Sequence, residues 1–335
     1  MILAHPSNKL EEQLIKIFYS SELPLHFNKT GNKEFTNYQR VSIIILFQRS
    51  KKSIRDFIDE LSELKWVSWL GLKKIPKKST LHDWLKIFNM KIIRKICKIL
   101  LPKEIKLAVV DGTGFDSWQR SRHYEKRVGE ISIPHMPYAK VDLFADVKTR
   151  KILDFSLVCK RQHDIIATEK ILKRSKLKEM IILGDGGFDC ERLHEIVRNK
   201  GGKLFAPVRK RDKRSLKQKP KGKYRRECLE LPEFMRQRSI IESINSSLKQ
   251  KQINALSSKK VFMKQREFGW NVVWYNIRMN LKNSDLSNQK VLNFFILQIQ
   301  IYSFPDNAYL PLFSTFPNLL KNAKTKGLYI SLYKD

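Results

Sequence analysis

Two aspartates stand where a short apolar run gives way to glycine: Asp111 in IKLAVVDGTGF and Asp185 in IILGDGGFD. If the two runs are strands of one sheet with their ends together, the carboxylates lie side by side. Such a pair repels unless a cation is shared, and an all-oxygen cluster suits Mg2+ or Mn2+ rather than Zn2+. The glycines after each acid are expected to turn the backbone tightly and leave room for something bulky. A third acid comes from the helix-like segment RSIIESINSSLK, which begins at Arg238. At roughly 100° per residue, Arg238, Glu242, Asn245 and Lys249 form one stripe about 60° wide. Ile240, Ile241, Ile244 and Leu248 form a separate apolar stripe. The helix can therefore pack by its isoleucines and leave Arg238, Glu242 and Lys249 aligned. Alone this is an ordinary Arg–Glu surface pair; joined to two strand-end aspartates it is a candidate metal-binding carboxylate triad.

The elements that must position these acids follow from hydrophobic periodicity. Residues 1–30 show no strong period, and helical patterns then dominate to about residue 101, so 1–101 is assigned as a helical domain. Val41, Ile44, Ile45 and Phe47 follow Thr36 and Asn37, either of which can cap a helix, and Ile54, Phe57, Ile58 and Leu61 follow Ser53. In KKSTLHDWLKIF, Ser79 or Thr80 is expected to cap a helix burying Leu81, Trp84, Leu85 and Phe88, with Lys77 and Lys78 just before it. This pattern fits a helix-turn-helix unit presenting its last helix to a DNA groove as well as it fits a plain helical bundle. From Pro102 onward the order is strand (105–110), strand (140–147), strand (151–159), helix (164–174), strand (179–185), helix (190–200) and strand (202–208), a mixed sheet with helices on it. A helix is expected from about Phe234 to Ile253, and a further aromatic helical stretch covers 262–281. The predicted organisation is a helical DNA-binding domain at 1–101, a catalytic domain at 102–283 and a helical extension and tail at 284–335.

Charge narrows the partner. The 335 residues hold 66 Lys plus Arg against 33 Asp plus Glu, a net +33, which points to a polyanion. From Arg209 to Arg226 run 11 Lys or Arg and one Asp, net +10. Such a run is a solvated loop or arm suited to phosphate contact. Four cysteines without a CxxC pair argue against a structural zinc site and a disulfide framework. The N-terminus lacks a signal-like apolar run and no stretch of 18 apolar residues occurs, so a cytoplasmic location without a membrane span is expected.

In this order and with the motif Arg238-x3-Glu242-x6-Lys249, the three acids resemble the catalytic core of the DDE transposases of bacterial and archaeal insertion sequences. The similarity covers residues 105–250 and extends toward 283. It is to the group with a Tyr-x2-Arg-x3-Glu-x6-Lys signature, although Met235 stands where that signature has Tyr. The resemblance implies an RNase H-like fold and phosphoryl transfer at DNA ends, with two Mg2+ or Mn2+ ions per site held by Asp111, Asp185 and Glu242. Arg238 and Lys249 would contact phosphate, with Asn245 doing either or neither, and Arg209, Lys210, Arg211, Lys77 and Lys78 would contact DNA elsewhere. Partners would be the element's terminal inverted repeats and target DNA, bound by a homodimer associated with the nucleoid. A nuclease without strand transfer, or a DNA-binding protein with an inert core, are the rival readings. His163 and Asp164 resemble a His-Asp pair of relatives, with helix capping by Asp164 the alternative. His123 and Tyr124 read as surface loop, Asp142 and Asp146 as exposed, Asp189 and Glu191 as helix N-terminal acids, and Trp270, Trp274 and Tyr275 as core.

Overall fold

The computed structural model describes residues 8–27, 30, 33–115, 139–160, 162–209, 220–253 and 255–302, the last by backbone alone from 284 onward. His123, Tyr124, Lys210, Arg211 and the tail beyond 302 lie outside these residues. The chain divides into two units between Ser284 and Asp285. The sheet and the acids belong to the first.

Among the described residues six helices come first: α1 (Lys9–Ser21), α2 (Asn37–Ser50), α3 (Ile54–Leu61), α4 (Trp66–Trp69), α5 (Lys78–Ile87) and α6 (Met90–Ile99). Thr36 and Gln39 form a reciprocal capping box on α2, and Ser53 caps α3, as the sequence suggests. Helix α5 departs from expectation. It begins at Lys78, with Lys77 in the capping position and no side-chain cap. The Leu81 N–H reaches back to the Lys77 carbonyl at 3.1 Å. The first turn thus forms two residues early, directly after Pro76, and Ser79 and Thr80 fall inside it.

The sheet follows the expected order of elements: β1 (Leu107–Phe115), β2 (Ala139–Asp146), β3 (Ile152–Val158), α7 (Asp164–Arg174), β4 (Ile181–Leu183), α8 (Glu191–Asn199) and β5 (Lys203–Phe205). Its strand order is β3-β2-β1-β4-β5. The first three strands are antiparallel neighbours, and β1, β4 and β5 run parallel. This is an RNase H-like mixed sheet. After β5 come α9 (Lys223–Arg226), a 3-10 stretch over Glu233–Ser239, α10 (Ile240–Lys251) and the long α11 (Val261–Tyr302). The single helix expected over 234–253 is therefore split. Phe234 and Met235 rest partly buried against the core, Phe234 meeting Phe205 edge-on at 5.8 Å, but none of residues 233–239 is fully buried, whereas Ile241 and Ile244 lie in the core and start α10.

Alternation along the strands feeds two cores. On one face Val109, Val141, Leu143 and Leu183 pack with Ile241, Ile244 and Leu248 of α10 and with Trp270 and Val273 of α11. The N-terminal helices join this same core: Phe88 meets Trp270 edge-on at 5.5 Å, and Ile93, Met90 and Phe155 close around Gly269. Trp270, Trp274 and Tyr275 are buried, as expected. On the other face Ala108, Val110, Phe144 and Ile182 pack with Ile171 and Leu172 of α7 and Leu193 and Val197 of α8. The outer edge of β3 is capped by side chains. Asn276 donates to the Ile152 carbonyl and accepts from its N–H, both at 2.9 Å, and Gln265 donates to the Leu157 carbonyl at 3.1 Å. An edge strand whose polar groups are satisfied in this way offers no ladder to another chain. Among the described residues no helix is long and apolar enough to cross a membrane.

Asn276→Leu keeps the volume but orphans the Ile152 N–H and carbonyl. It should lower unfolding free energy by roughly 1–3 kcal/mol per group, read as a drop in the urea midpoint.

Candidate active site

Parallel pairing of β1 with β4 sets the first two acids. Val109 is opposite Leu183, so two residues further along each chain come Asp111 and Asp185, at the same level. Asp111 is still within β1, while Asp185 lies just past β4 and caps a 3-10 turn, Gly186–Phe188, its Oδ1 accepting from Gly187 N–H at 2.7 Å. The glycines after Asp185 do make a turn. Those after Asp111 do not, because Gly112 and Gly114 continue β1.

Helix α10 lies against β1 on the Asp111 side. Asn245 donates from Nδ2 to Asp111 Oδ2 at 3.0 Å, and Lys249 Nζ sits 5.5 Å over the ring of Phe115 at the strand's end. The stripe read from the sequence is therefore laid along β1, with Asn245 rather than Glu242 touching the aspartate. Glu242 is 62% exposed and pairs with Arg238 at 3.3 Å. Arg238 belongs to the 3-10 stretch, not to α10. Among the described residues no three His, Cys, Asp or Glu side chains are gathered tightly enough to hold a metal ion. Asp111 and Asp185 are brought together; Glu242 is brought to the same side but turned toward Arg238.

Burial holds the Asp111 carboxyl up at about 6; the charges of Asp185 and Glu242 push the same way, against a Gly112 N–H bond and Arg238. A group held up for these reasons sits where added positive charge is favoured. Two carboxylates at one level, a third on the adjacent helix and the buried Asn245 Oδ1, which accepts no hydrogen bond among the described residues, make a hard oxygen donor set. That set fits Mg2+ or Mn2+ and not a thiophilic metal.

On the opposite face of β1 the structure corrects a sequence expectation. Asp142 and Asp146 are buried, not exposed, because α7 and the turn after β2 cover them. Asp146 accepts from Thr149 N–H at 2.9 Å and shapes that turn. Asp142 pairs across the strands with Gly112, and a side chain at Gly112 would press on the carboxylates of Asp142 and Asp164, each 3.2 Å away. Gly112 is thus required by close approach, not by a bend. Lys140 pairs with Asp164 and donates to the Gln162 carbonyl at 2.6 Å. The α7 cap is His163, accepting from Ile165 N–H at 3.4 Å, rather than Asp164, which is the first residue of the helix. Burial pushes Asp142 up to about 7, reinforced by the neighbouring Asp164 and opposed by Lys140.

Of the residues expected to contact DNA, Lys77 and Lys78 are exposed at the start of α5, and Lys249 is exposed beside β1. Arg209 is exposed too, but its N–H is committed to Asp189 Oδ2 at 2.8 Å. Sequence reasoning missed Asn245 as the partner of Asp111, although its place between Glu242 and Lys249 on one stripe was the available signal. It also missed the burial of Asp142 and Asp189, for which a single chain carries no signal.

Residues 102–277 match the family described as transposase DDE domain. A solved structure described as the cryo-EM structure of the piggyBac transposase synaptic complex with hairpin DNA is similar over 98% of this chain and 84% of that one, at 12% identity and a TM-score of 0.43. No curated protein matches.

The Asp142 carboxyl gives a pH signature. Its folded value lies above the unfolded value near 3.9, so the folded state binds more protons in between, and stability falls as pH rises from about 4 to about 7. Asp142→Asn, which can donate to Asp164, should match the wild type near pH 4 and exceed it at pH 8 by on the order of a few kcal/mol, measured by chemical denaturation across pH.

Proposed function

The chain belongs to the transposase DDE domain family, a family of DNA-cleaving and DNA-joining enzymes that work with divalent cations, and we propose that it cleaves the ends of a prokaryotic insertion sequence and joins the freed 3′-hydroxyl to target DNA. The observation that carries this reading is the level placement of Asp111 and Asp185 on neighbouring parallel segments, with the Arg238–Glu242–Asn245–Lys249 stripe alongside.

Asp111, Asp185 and Glu242 would hold two Mg2+ or Mn2+ ions, which would lower the pKa of the attacking hydroxyl and neutralise charge building on the scissile phosphate. Asp111 would be one of the holding carboxylates. Its carboxylate is kept in orientation by the Asn245 amide. Glu242 would join the aspartates by rotating about its own side-chain torsions, which its exposure leaves free. That rotation releases Arg238 from Glu242 and leaves the guanidinium to take a phosphate bidentately, while Lys249 serves as a point charge. In the first step a water oxygen bonds to phosphorus and the bond to the 3′-oxygen breaks. In the second that 3′-oxygen bonds to a target phosphorus and the target's own 3′-oxygen leaves.

The cationic surroundings hold the DNA. Residues 1–101 act as the DNA-binding domain, with Lys77 and Lys78 at the start of α5 against the backbone. Arg209, Lys210 and Arg211 open the basic segment that tracks phosphate through 226. Residues 102–283 are the catalytic domain, and residues 284–335 are an extension. Two copies pair the two element ends in a nucleoid-associated homodimer.

Asp111→Ala, Asp185→Ala and Glu242→Ala should each abolish Mg2+-dependent cleavage of duplexes carrying the DNA that borders the gene, with gel-shift binding retained. Full cleavage by any one of them removes that residue from the site. A pre-cleaved 3′-hydroxyl duplex incubated with supercoiled plasmid should give joined products; hydrolysis without joining favours a nuclease, and activities indifferent to Asp111→Ala favour an inert DNA-binding protein. Neutralising lysines and arginines across 209–226 should weaken binding to every sequence and flatten the salt slope by about 0.9 for each phosphate no longer neutralised. An unchanged slope rules out phosphate binding by this segment.

A further inference from the structure

Asp189 reads in the sequence as an acid at a helix N-terminus, and the structure gives it other work. The cap of α8 is Cys190, without a side-chain bond. The Asp189 side chain is fully buried and turned instead to the cationic 209–226 segment. Its Oδ1 accepts from Arg225 Nε at 2.6 Å, and its Oδ2 accepts from Arg225 Nη2 at 2.6 Å and from the Arg209 N–H at 2.8 Å. One carboxylate therefore holds the first residue of the segment by its backbone and the last turn by a bidentate arginine.

Glu191 secures the same place independently. Its two oxygens accept from the Tyr224 and Arg225 N–H groups at 2.9 and 3.0 Å. The chain passes so near this carboxylate that a side chain at Gly222 would collide with it. Both acids follow directly on the Gly186–Phe188 turn that Asp185 caps. Within seven residues, DGGFDCE, lie one proposed metal ligand and both anchors of the basic segment. Weaker tethers flank these anchors: Val208 packs against the core before the segment, and Arg198 of α8 lies over the Tyr224 ring at 5.3 Å and pairs with Glu227 at the segment's end.

We propose that Asp189 is a positioning residue for DNA: it locks both roots of the cationic segment to the turn bearing Asp185 and thereby sets which phosphodiester meets the carboxylates. This rests on the transposase reading and adds to it a determinant of cleavage position. Arg225 spends its charge on Asp189, so it serves as the fastening rather than as a phosphate contact.

The test compares full-length wild type with Asp189→Asn and, should that variant fold poorly, Arg225→Lys, which keeps the charge but loses the fork. Neither change reduces the net positive charge. Binding to a random-sequence duplex and its salt slope should stay within about twofold of wild type. On a duplex carrying the gene-bordering DNA, Mn2+-dependent cleavage should spread from one phosphodiester to its neighbours, with kcat down about tenfold or more and KM little changed. A role confined to folding predicts instead a lower melting temperature and less active protein, with the cut at the wild-type position; that result overturns the proposal, as does cleavage at the wild-type position and rate. Absence of cleavage by the wild type is seen before any variant is made, and it overturns the transposase reading rather than the clamp.

Discussion

The site depends on the parallel register of β1 and β4. It brings two carboxylates, Asp111 and Asp185, to one level on neighbouring backbones, which in a sheet run about 4.8 Å apart. Nothing in the ladder of either strand requires acids there, and burial penalises the charge of Asp111 and pushes its carboxyl up. A fold that maintains such a placement holds a local electrostatic deficit that a cation relieves. The rest of the structure maintains it: two hydrophobic cores, one on each face, fix the sheet that carries β1 and β4, and Asn276 and Gln265 close the far edge.

β1 is served differently on its two sides. Toward α10, Asp111 is held by Asn245, and the isoleucines of the helix supply the packing that keeps the amide in place. Toward α7, the absence of a side chain at Gly112 admits the Asp142 and Asp164 carboxylates, with Lys140 as their counter-charge. The strand is thus pinned by an amide-to-carboxylate hydrogen bond on one face and a cluster of two aspartates and a lysine on the other, one residue apart. Glu242 belongs to neither arrangement. It lies on the solvent side, paired with Arg238, a weak exposed contact that competes little with a stronger partner.

The positive charge is organised as well as abundant. Arg225 is consumed by Asp189, Lys140 by Asp164 and Arg174 by Asp154, each inside or at the rim of the fold. Lys77, Lys78 and Lys249 are exposed. The N-terminal helices share the core of the sheet through Phe88, Ile93 and Trp270, so α5 and the acids are carried by one compact unit. That gives the exposed lysines a fixed relation to the site.

By itself the sequence determined the order of strands and helices from 102 to 208, the two aspartates that follow apolar runs and the helical stripe that includes Glu242, but it put the end of β1 at Asp111, where the strand in fact continues to Phe115. Each of these is a local pattern: β-branched runs, an apolar period and a cap are properties of neighbouring residues. It also determined the buried aromatics of α11, because amphipathic spacing is read along one helix. Where the side chains of Asn245, Asp142 and Asp189 go was decided only by tertiary structure. An asparagine on a polar stripe, an aspartate in alternation on a strand and an aspartate before a helix look solvent-facing until another element covers them. The split at Ser239 likewise had no local mark: Phe234 and Met235 rest on the core only in part, while full burial begins at Ile241. Contacts between residues 134 apart, such as Asn245 with Asp111, depend on which surfaces the chain folds against each other, and no periodicity within either segment encodes that choice.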